Sequence, residues 1–202
     1  MSANNGRELK RVIFIIALAV ALQSCLPVTS KSPVGSTSGF RVDDRLIGMW
    51  QGTTSNGKVF FAFLPDDHRD IMAVMIGFPL SVNSSGFYGS YRIRTATLGK
   101  ALFIDAHEVS ENNGQPPTGS LAENSIPLLY RLDGERKLTL YLLDEKATKE
   151  AVKAGKIAGI VESSDYGDVT LTAPPAELDK FFASSAGLAL FKQPMVALKR
   201  VQ

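Results

Sequence analysis

The only cysteine, Cys25, and four polar side chains, Arg92, Arg94, Asp105 and His107, are the residues whose types and spacing could do chemistry. A lone thiol can act as a nucleophile, a metal ligand or an acceptor for modification. Cys25 ends an uncharged apolar run instead of falling within a core pattern, which marks it for modification. Once it is modified, no cysteine remains for a disulfide, a thiolate nucleophile or a metal thiolate. The other four residues belong to one hairpin, turning at Leu98-Gly99-Lys100-Ala101 with glycine first in a two-residue loop. That register sets Arg94 against Asp105 and Arg92 against His107, all on one face because side chains alternate. Facing inward, they would orient a ligand or serve acid–base work. Facing outward, they are cross-strand ion pairs, each contributing about 0.2–1 kcal/mol. The opposite face, with Ile93, Thr95, Ile104 and Ala106, is more apolar and is the natural inner one.

Other chemistry finds no footing. Gly35-Ser36-Thr37-Ser38-Gly39 has threonine where a nucleophile elbow needs serine, and His107-Glu108 lacks a second histidine four residues on. Two histidines and no spare cysteine argue against a transition-metal site, and no glycine-rich loop precedes a helix to hold phosphate. No enzyme and no cofactor is expected.

The N-terminus reads as an export signal. Arg7, Lys10 and Arg11 precede eleven uncharged residues, 12–22, and small Ser24 precedes Cys25. As a helix that run spans about 16 Å, half the ~30 Å of a hydrocarbon core. The chain has 22 Lys and Arg against 20 Asp and Glu; loss of residues 1–24 removes three bases and one acid, leaving a net charge of zero. A neutral domain without a concentrated basic face excludes nucleic acid as a partner. Residues 26–40, rich in Ser, Thr, Pro and Gly, read as a flexible tether with an end-to-end distance of about 20 Å.

The remainder is mainly β. Strands are predicted at 58–64 and 71–78, both apolar on both faces, so that either something covers their outer side or they cross a closed structure. The hairpin of residues 86–107 follows, then a polar loop at 108–125 and a second hairpin, 126–132 with 138–143, around Asp133-Gly134. A helix is expected from Asp144 as N-cap to Ala154, and a small hairpin joins 157–162 to 169–172 through Tyr166-Gly167. A second helix opens at Pro174-Pro175, and 195–201 form a closing strand. The recurring Lys146, Lys149, Lys153 and Lys156 mark a solvated helix face or one turned to anionic lipid. Phe60, Phe61, Phe63, Met72, Met75 and Phe78 supply core packing or the lining of an apolar cavity.

Two resemblances add to this reading. Leu22-Gln23-Ser24-Cys25 resembles the lipobox of bacterial lipoproteins, which implies cleavage before Cys25 and acylation of its sulfur. In that family Leu26, in place of aspartate, implies sorting to the outer membrane, facing the periplasm. Leu46-Ile47-Gly48-Met49-Trp50 resembles the Gly-x-Trp start of lipocalins and related small β-barrels. There the tryptophan plugs the closed end of the barrel against a late arginine, a place that Arg200 fits.

The expected organisation is a signal peptide over 1–24, a lipidated cysteine and tether over 25–40, and one β domain over 41–202. The domain is an antiparallel barrel or strongly curved sheet of about eight to nine strands. Two short helices lie near its C-terminal end, within an insertion at about 144–190. The expected function is a non-catalytic envelope lipoprotein, held to the bilayer through Cys25, whose barrel binds a small apolar ligand or simply presents a surface. The alternative is a structural or assembly partner of other envelope proteins.

Overall fold

The structure is a computed structural model that describes residues 27–55, 57–66, 70–80, 86–111, 114–162 and 168–201. Cys25, the signal segment and the Tyr166-Gly167 turn lie outside the described residues. Eight antiparallel strands close into a barrel: β2 (Gly48–Thr54), β3 (Gly57–Pro65), β4 (Ile71–Pro79), β5 (Phe87–Leu98), β6 (Ala101–Ser110), β7 (Ile126–Asp133), β8 (Lys137–Leu142) and β11 (Pro194–Arg200). Each pairs with its neighbour in chain order except β11, which inserts between β8 and β2 to complete the ring. Closure leaves no barrel edge unpaired. A short strand β1 (Thr29–Ser30) joins β10 (Val169–Leu171) and β9 (Gly159–Val161) in a separate three-stranded sheet.

The β5–β6 hairpin has the expected register, with Leu98 opposite Ala101, Arg94 opposite Asp105 and Arg92 opposite His107. Gly99 sits at φ +62°, the backbone region that a glycine-first two-residue loop needs. Alternation then turns Ile93, Ile104 and Ala106 into the barrel, where they pack with Phe61, Phe63, Ala73 and Leu128.

Two helices stand where the sequence puts them. α2 (Glu145–Lys153) is capped by Asp144, whose carboxylate accepts the Ala147 N–H at 2.7 Å. α3 (Pro175–Phe182) begins with proline, whose missing N–H costs nothing in a first turn. One-turn helices α1 (Ser120–Glu123) and α4 (Ser185–Leu188) are additional. Such pieces are too short to show a periodic apolar stripe.

A second apolar core lies outside the barrel. Phe103 and Leu129, from the outer faces of β6 and β7, pack with Leu178 and Phe182 of α3, with Leu190 and Phe191, and with Ala147 and Ala151 of α2. Phe103, Phe182 and Phe191 form a ring cluster with centroids 5.6–5.8 Å apart. The helices therefore cover the β6–β7 side. Nothing similar covers β3 and β4 among the described residues: Leu64, Ile76 and Phe78 stay exposed on the outer side. Of the two origins expected from the sequence, the closed structure is the one observed: the inner side chains of these strands fill the barrel, while nothing among the described residues covers their outer side.

The largest correction concerns residues 27–40, which are packed against the domain. Val28 and Val34 are buried in the outer core, and Thr29 and Ser30 are buried within β1. The segment is a strap. Ser30 exchanges backbone hydrogen bonds with Ser125 at the start of β7, and Arg41 donates its N–H to Thr95 near the far end of β5. Two buried carboxylates hold its middle. Asp105 accepts the Val34 N–H at 3.1 Å, and Asp179 of α3 accepts the Gly35 N–H at 2.6 Å and the Thr37 N–H at 3.0 Å. Polar composition reads as a loose linker when the receiving carboxylates are distant in sequence. Here they lie 71 and 144 residues away.

Candidate functional site

The barrel has one closed and one open end. At the closed end Trp50 is fully buried, and its indole N–H donates to the Leu46 carbonyl at 2.7 Å. The Arg200 guanidinium lies 4.4 Å over the Trp50 ring. Arg200 also donates to the carbonyls of Ile47 at 2.6 Å, Glu135 at 2.8 Å and Arg45. One late arginine thereby ties the first barrel strand, the plug before it and the β7–β8 turn. The Tyr130 hydroxyl donates to Asp43 at 2.7 Å, and Arg45 holds the same carboxylate by two bonds at 2.7 and 2.8 Å. Burial pushes the Asp43 carboxyl up, but the bonds from Arg45 and Tyr130 outweigh it and hold the group below its ordinary value. Burial, reinforced by the bond to Asp43, pushes the Tyr130 phenol well up, so it stays a donor.

Beyond this plug lies an apolar cavity of about 200 Å³. Phe61, Phe63, Ala73, Met75, Ile93 and Ala106 form one side of its wall, and Ile126, Leu128, Leu140 and Leu142 the other. Alternation explains the selection. In β3 and β4 the residues Phe61, Phe63, Ala73 and Met75 point in, while Phe60, Met72 and Phe78 point out. The six-residue set expected to pack or line a cavity is thus split between two faces. Small Ala73 and Ala106 leave the space that larger residues would fill. Pro27 and the partly exposed Met195 carry the lining to the surface at the open end.

Near that mouth Tyr91 pairs in register with Glu108, and its phenol faces the Glu108 carboxyl. Burial raises the Glu108 carboxyl above its ordinary value, and Glu111 nearby adds to the rise. Burial likewise raises the Tyr91 phenol. A carboxyl beside a phenol offers hydrogen bonds at the edge of an apolar wall. Tyr91 and Glu108 continue the register that the two-residue loop sets, one pair beyond Arg92 and His107 and just before the β-bulge at Ser90, so the sequence could have found them by extending the hairpin one step on the inner face.

The four polar residues singled out in the hairpin lie on the outer face of the barrel, away from the cavity. Arg94 bonds Asp70 at 2.7 Å and lies 5.1 Å over the Phe40 ring, while Arg92 reaches Asp66 at 3.4 Å. His107 is half-buried, with Nε2 3.9 Å from Asp105 Oδ2. Only Asp105 is buried, beneath the strap, and burial pushes its carboxyl up against the opposing influence of the nearby Ser125 hydroxyl and the Val34 N–H bond. These residues are therefore structural in their contacts, and a ligand-facing role for Arg92, Arg94, Asp105 and His107 is not what the geometry provides. Lys146 and Lys153 project from α2 away from its buried Ala147, Thr148 and Ala151.

No protein-family model, no curated protein and no solved structure matches this chain. Among the described residues, no helix is long and apolar enough to cross a membrane, and no three His, Cys, Asp or Glu side chains group as metal ligands.

Proposed function

We propose that this chain is a non-catalytic lipoprotein of the cell envelope, anchored through acylated Cys25, whose barrel holds a small apolar ligand. The observation that carries the ligand reading is the cavity of about 200 Å³ walled by apolar side chains. Protein interiors are packed to crystal-like density, so a void of this size within a closed barrel costs stability unless something fills it. Apolar cavities of about 150 Å³ stay dry and take up benzene-sized molecules. A single ring or a short alkyl segment is the matching ligand class, with its polar end beside Tyr91 and Glu108.

Calorimetric titration with 1-hexanol, 1-octanol and 1-decanol tests this reading. Affinity rises about four-fold per added methylene, the equivalent of ~0.8 kcal/mol, until the cavity is full. Binding carries a negative heat-capacity change. No saturable binding by any alcohol refutes the ligand reading. Intact mass of the membrane-fraction protein tests the anchor separately: a chain starting at residue 25 with acyl mass, absent from Cys25→Ala, is the expected result.

A further inference from the structure

We infer that the open rim of the barrel seats directly on a lipid bilayer, with the apolar ends of β4 and β5 dipping among the headgroups. The inference rests on the anchor reading for its choice of partner. It starts from where apolar side chains are left uncovered. Ile76, Phe78 and Leu80 at the end of β4, Phe87 and Tyr88 at the start of β5, and Met195 at the start of β11 are all exposed. Antiparallel pairing brings these termini to one end of the barrel, the end where the cavity opens. Register makes the β4–β5 part contiguous: Ile76 lies opposite Tyr88, Gly77 opposite Phe87, and Phe78 meets Phe60 of β3 edge to face at 5.8 Å. Leu80 is 72% exposed and Phe78 54%. Solvated strand ends ordinarily carry polar residues, so such a cluster marks a surface that is covered in use.

The path of the chain identifies what covers it. Pro27 lines the mouth, and Ser30 is fixed to Ser125 at the start of β7, on the same end of the barrel. Cys25 stands two residues before Pro27, a reach of at most about 7 Å. An acyl chain on Cys25 in a bilayer therefore holds this end against the headgroups, and the strap leaves no slack for the domain to turn away. The chemistry of the rim fits that surface. Phenylalanine and tyrosine suit the boundary between water and hydrocarbon. Exposed Lys58, paired in register with Phe78, can lie along apolar surface while its ammonium meets phosphate. Among the described residues, the acids Glu108, Glu111 and Glu123 at this end sit on the β6–β7 side, outside the β4–β5 cluster.

Full-chain protein purified from membranes and reconstituted into vesicles of phosphatidylethanolamine and phosphatidylglycerol, with and without brominated acyl chains, tests the inference. Leu80→Trp and Phe78→Trp place reporters on the rim; Lys137→Trp places one at the closed end. Trp50, buried in the plug, is the internal reference. Rim reporters shift to the blue on vesicles and lose emission to bromine, while Trp50 and the closed-end reporter do neither. Unquenched rim reporters on vesicle-bound protein overturn the inference while leaving the anchor standing. Quenched rim reporters on protein whose intact mass shows no acyl group uphold the inference and sink the anchor reading instead. Protein that does not float with vesicles leaves the rim unquenched and overturns the inference as well.

Discussion

Filling the cavity from one wall separates a genuine void from a misread barrel interior. Ala106 is buried on β6, between Ile93 of β5 and Ile126 of β7, and borders the cavity. Ala106→Leu adds three carbon groups to that space, about 2.4 kcal/mol of burial at ~0.8 kcal/mol each. Fixing the leucine rotamer takes back ~0.5–1 kcal/mol. The net expectation is a gain of about 1.5–2 kcal/mol, or roughly 3–8 °C in Tm for a domain of this size. Urea denaturation of the ligand-free protein reads the change as a higher midpoint at an unchanged slope. The same variant loses affinity for 1-octanol. A well-packed wall would respond in the opposite direction, with overpacking costing ~1–3 kcal/mol. A destabilised Ala106→Leu protein would therefore refute the cavity and the ligand reading together.

Three further outcomes follow from the polar contacts. Asp105 and Glu108 both have raised carboxyl pKa values in the folded protein, chiefly through burial. The folded state thus keeps protons that the unfolded chain gives up above its ordinary carboxyl values, and stability falls as pH rises through the folded values. Asp43, held below its ordinary value, acts oppositely: its contribution is present above 3.8 and is lost as pH falls through the folded value. Denaturation across pH 3–8 should place the stability maximum on the acid side of neutral, and Asp105→Asn should flatten the decline toward pH 7. Arg200→Ala removes the donors to the Ile47, Glu135 and Arg45 carbonyls and the cover of Trp50, for a loss of about 1.5–3 kcal/mol in urea denaturation. Arg200→Lys should not restore it, since an ammonium lacks the planar fork of donors. Gly35 has φ +87°, and a Cβ there would lie 2.0 Å from Ala96 Cβ, so Gly35→Ala should lift the strap from β5. Hydrogen exchange should then show lost protection at the Val34, Gly35 and Thr37 amides, with the β2–β3 amides unchanged.

Local signals carried the fold a long way and then failed at a definable distance. The β5–β6 register was legible because a two-residue loop with glycine first fixes which residues face each other, and the apolar pairs agree with it. Asp144 and Pro175 announced their helices because capping and first-turn preferences act within four residues. The strap was illegible for the converse reason. Ser, Thr, Gly and Pro at 29–39 describe a loop, and only Asp105 and Asp179, brought in by the barrel and by α3, make it an ordered one. The polar cluster lies on the outer face that the register favours, and only Asp105 departs from that reading, through the same gap. Asp105 reads as an exposed partner for Arg94, but the strap that buries it comes from a segment that looks unstructured. The cavity wall was half legible: alternation separates Phe61 from Phe60, but only the closed barrel shows that Ala73 and Ala106 leave space between the walls.

The strap changes what an anchor at Cys25 would do. A free tether of fifteen residues would let the domain sample orientations within about 20 Å of its attachment. With residues 28–41 bound along the barrel, the slack shrinks to the two residues before Pro27, about 7 Å at full extension. The same strap continues from the open mouth to the plug, where Arg41 meets Thr95 and Asp43 takes the Tyr130 and Arg45 bonds. One continuous segment therefore joins the open end to the closed end. Pulling on the anchor loads the Asp105 and Asp179 bonds before it loads the plug. Gly35→Ala frees only the middle of that attachment, downstream of Ser30, and so should leave the orientation of the barrel on the vesicle unchanged. Bromine quenching of the Leu80→Trp reporter reads this directly. Quenching should be equal in the two backgrounds, with flotation on the vesicles retained. Weaker quenching in the Gly35→Ala background would show that the Asp105 and Asp179 bonds, and not the pairing of Ser30 beside the mouth, are what orient the barrel.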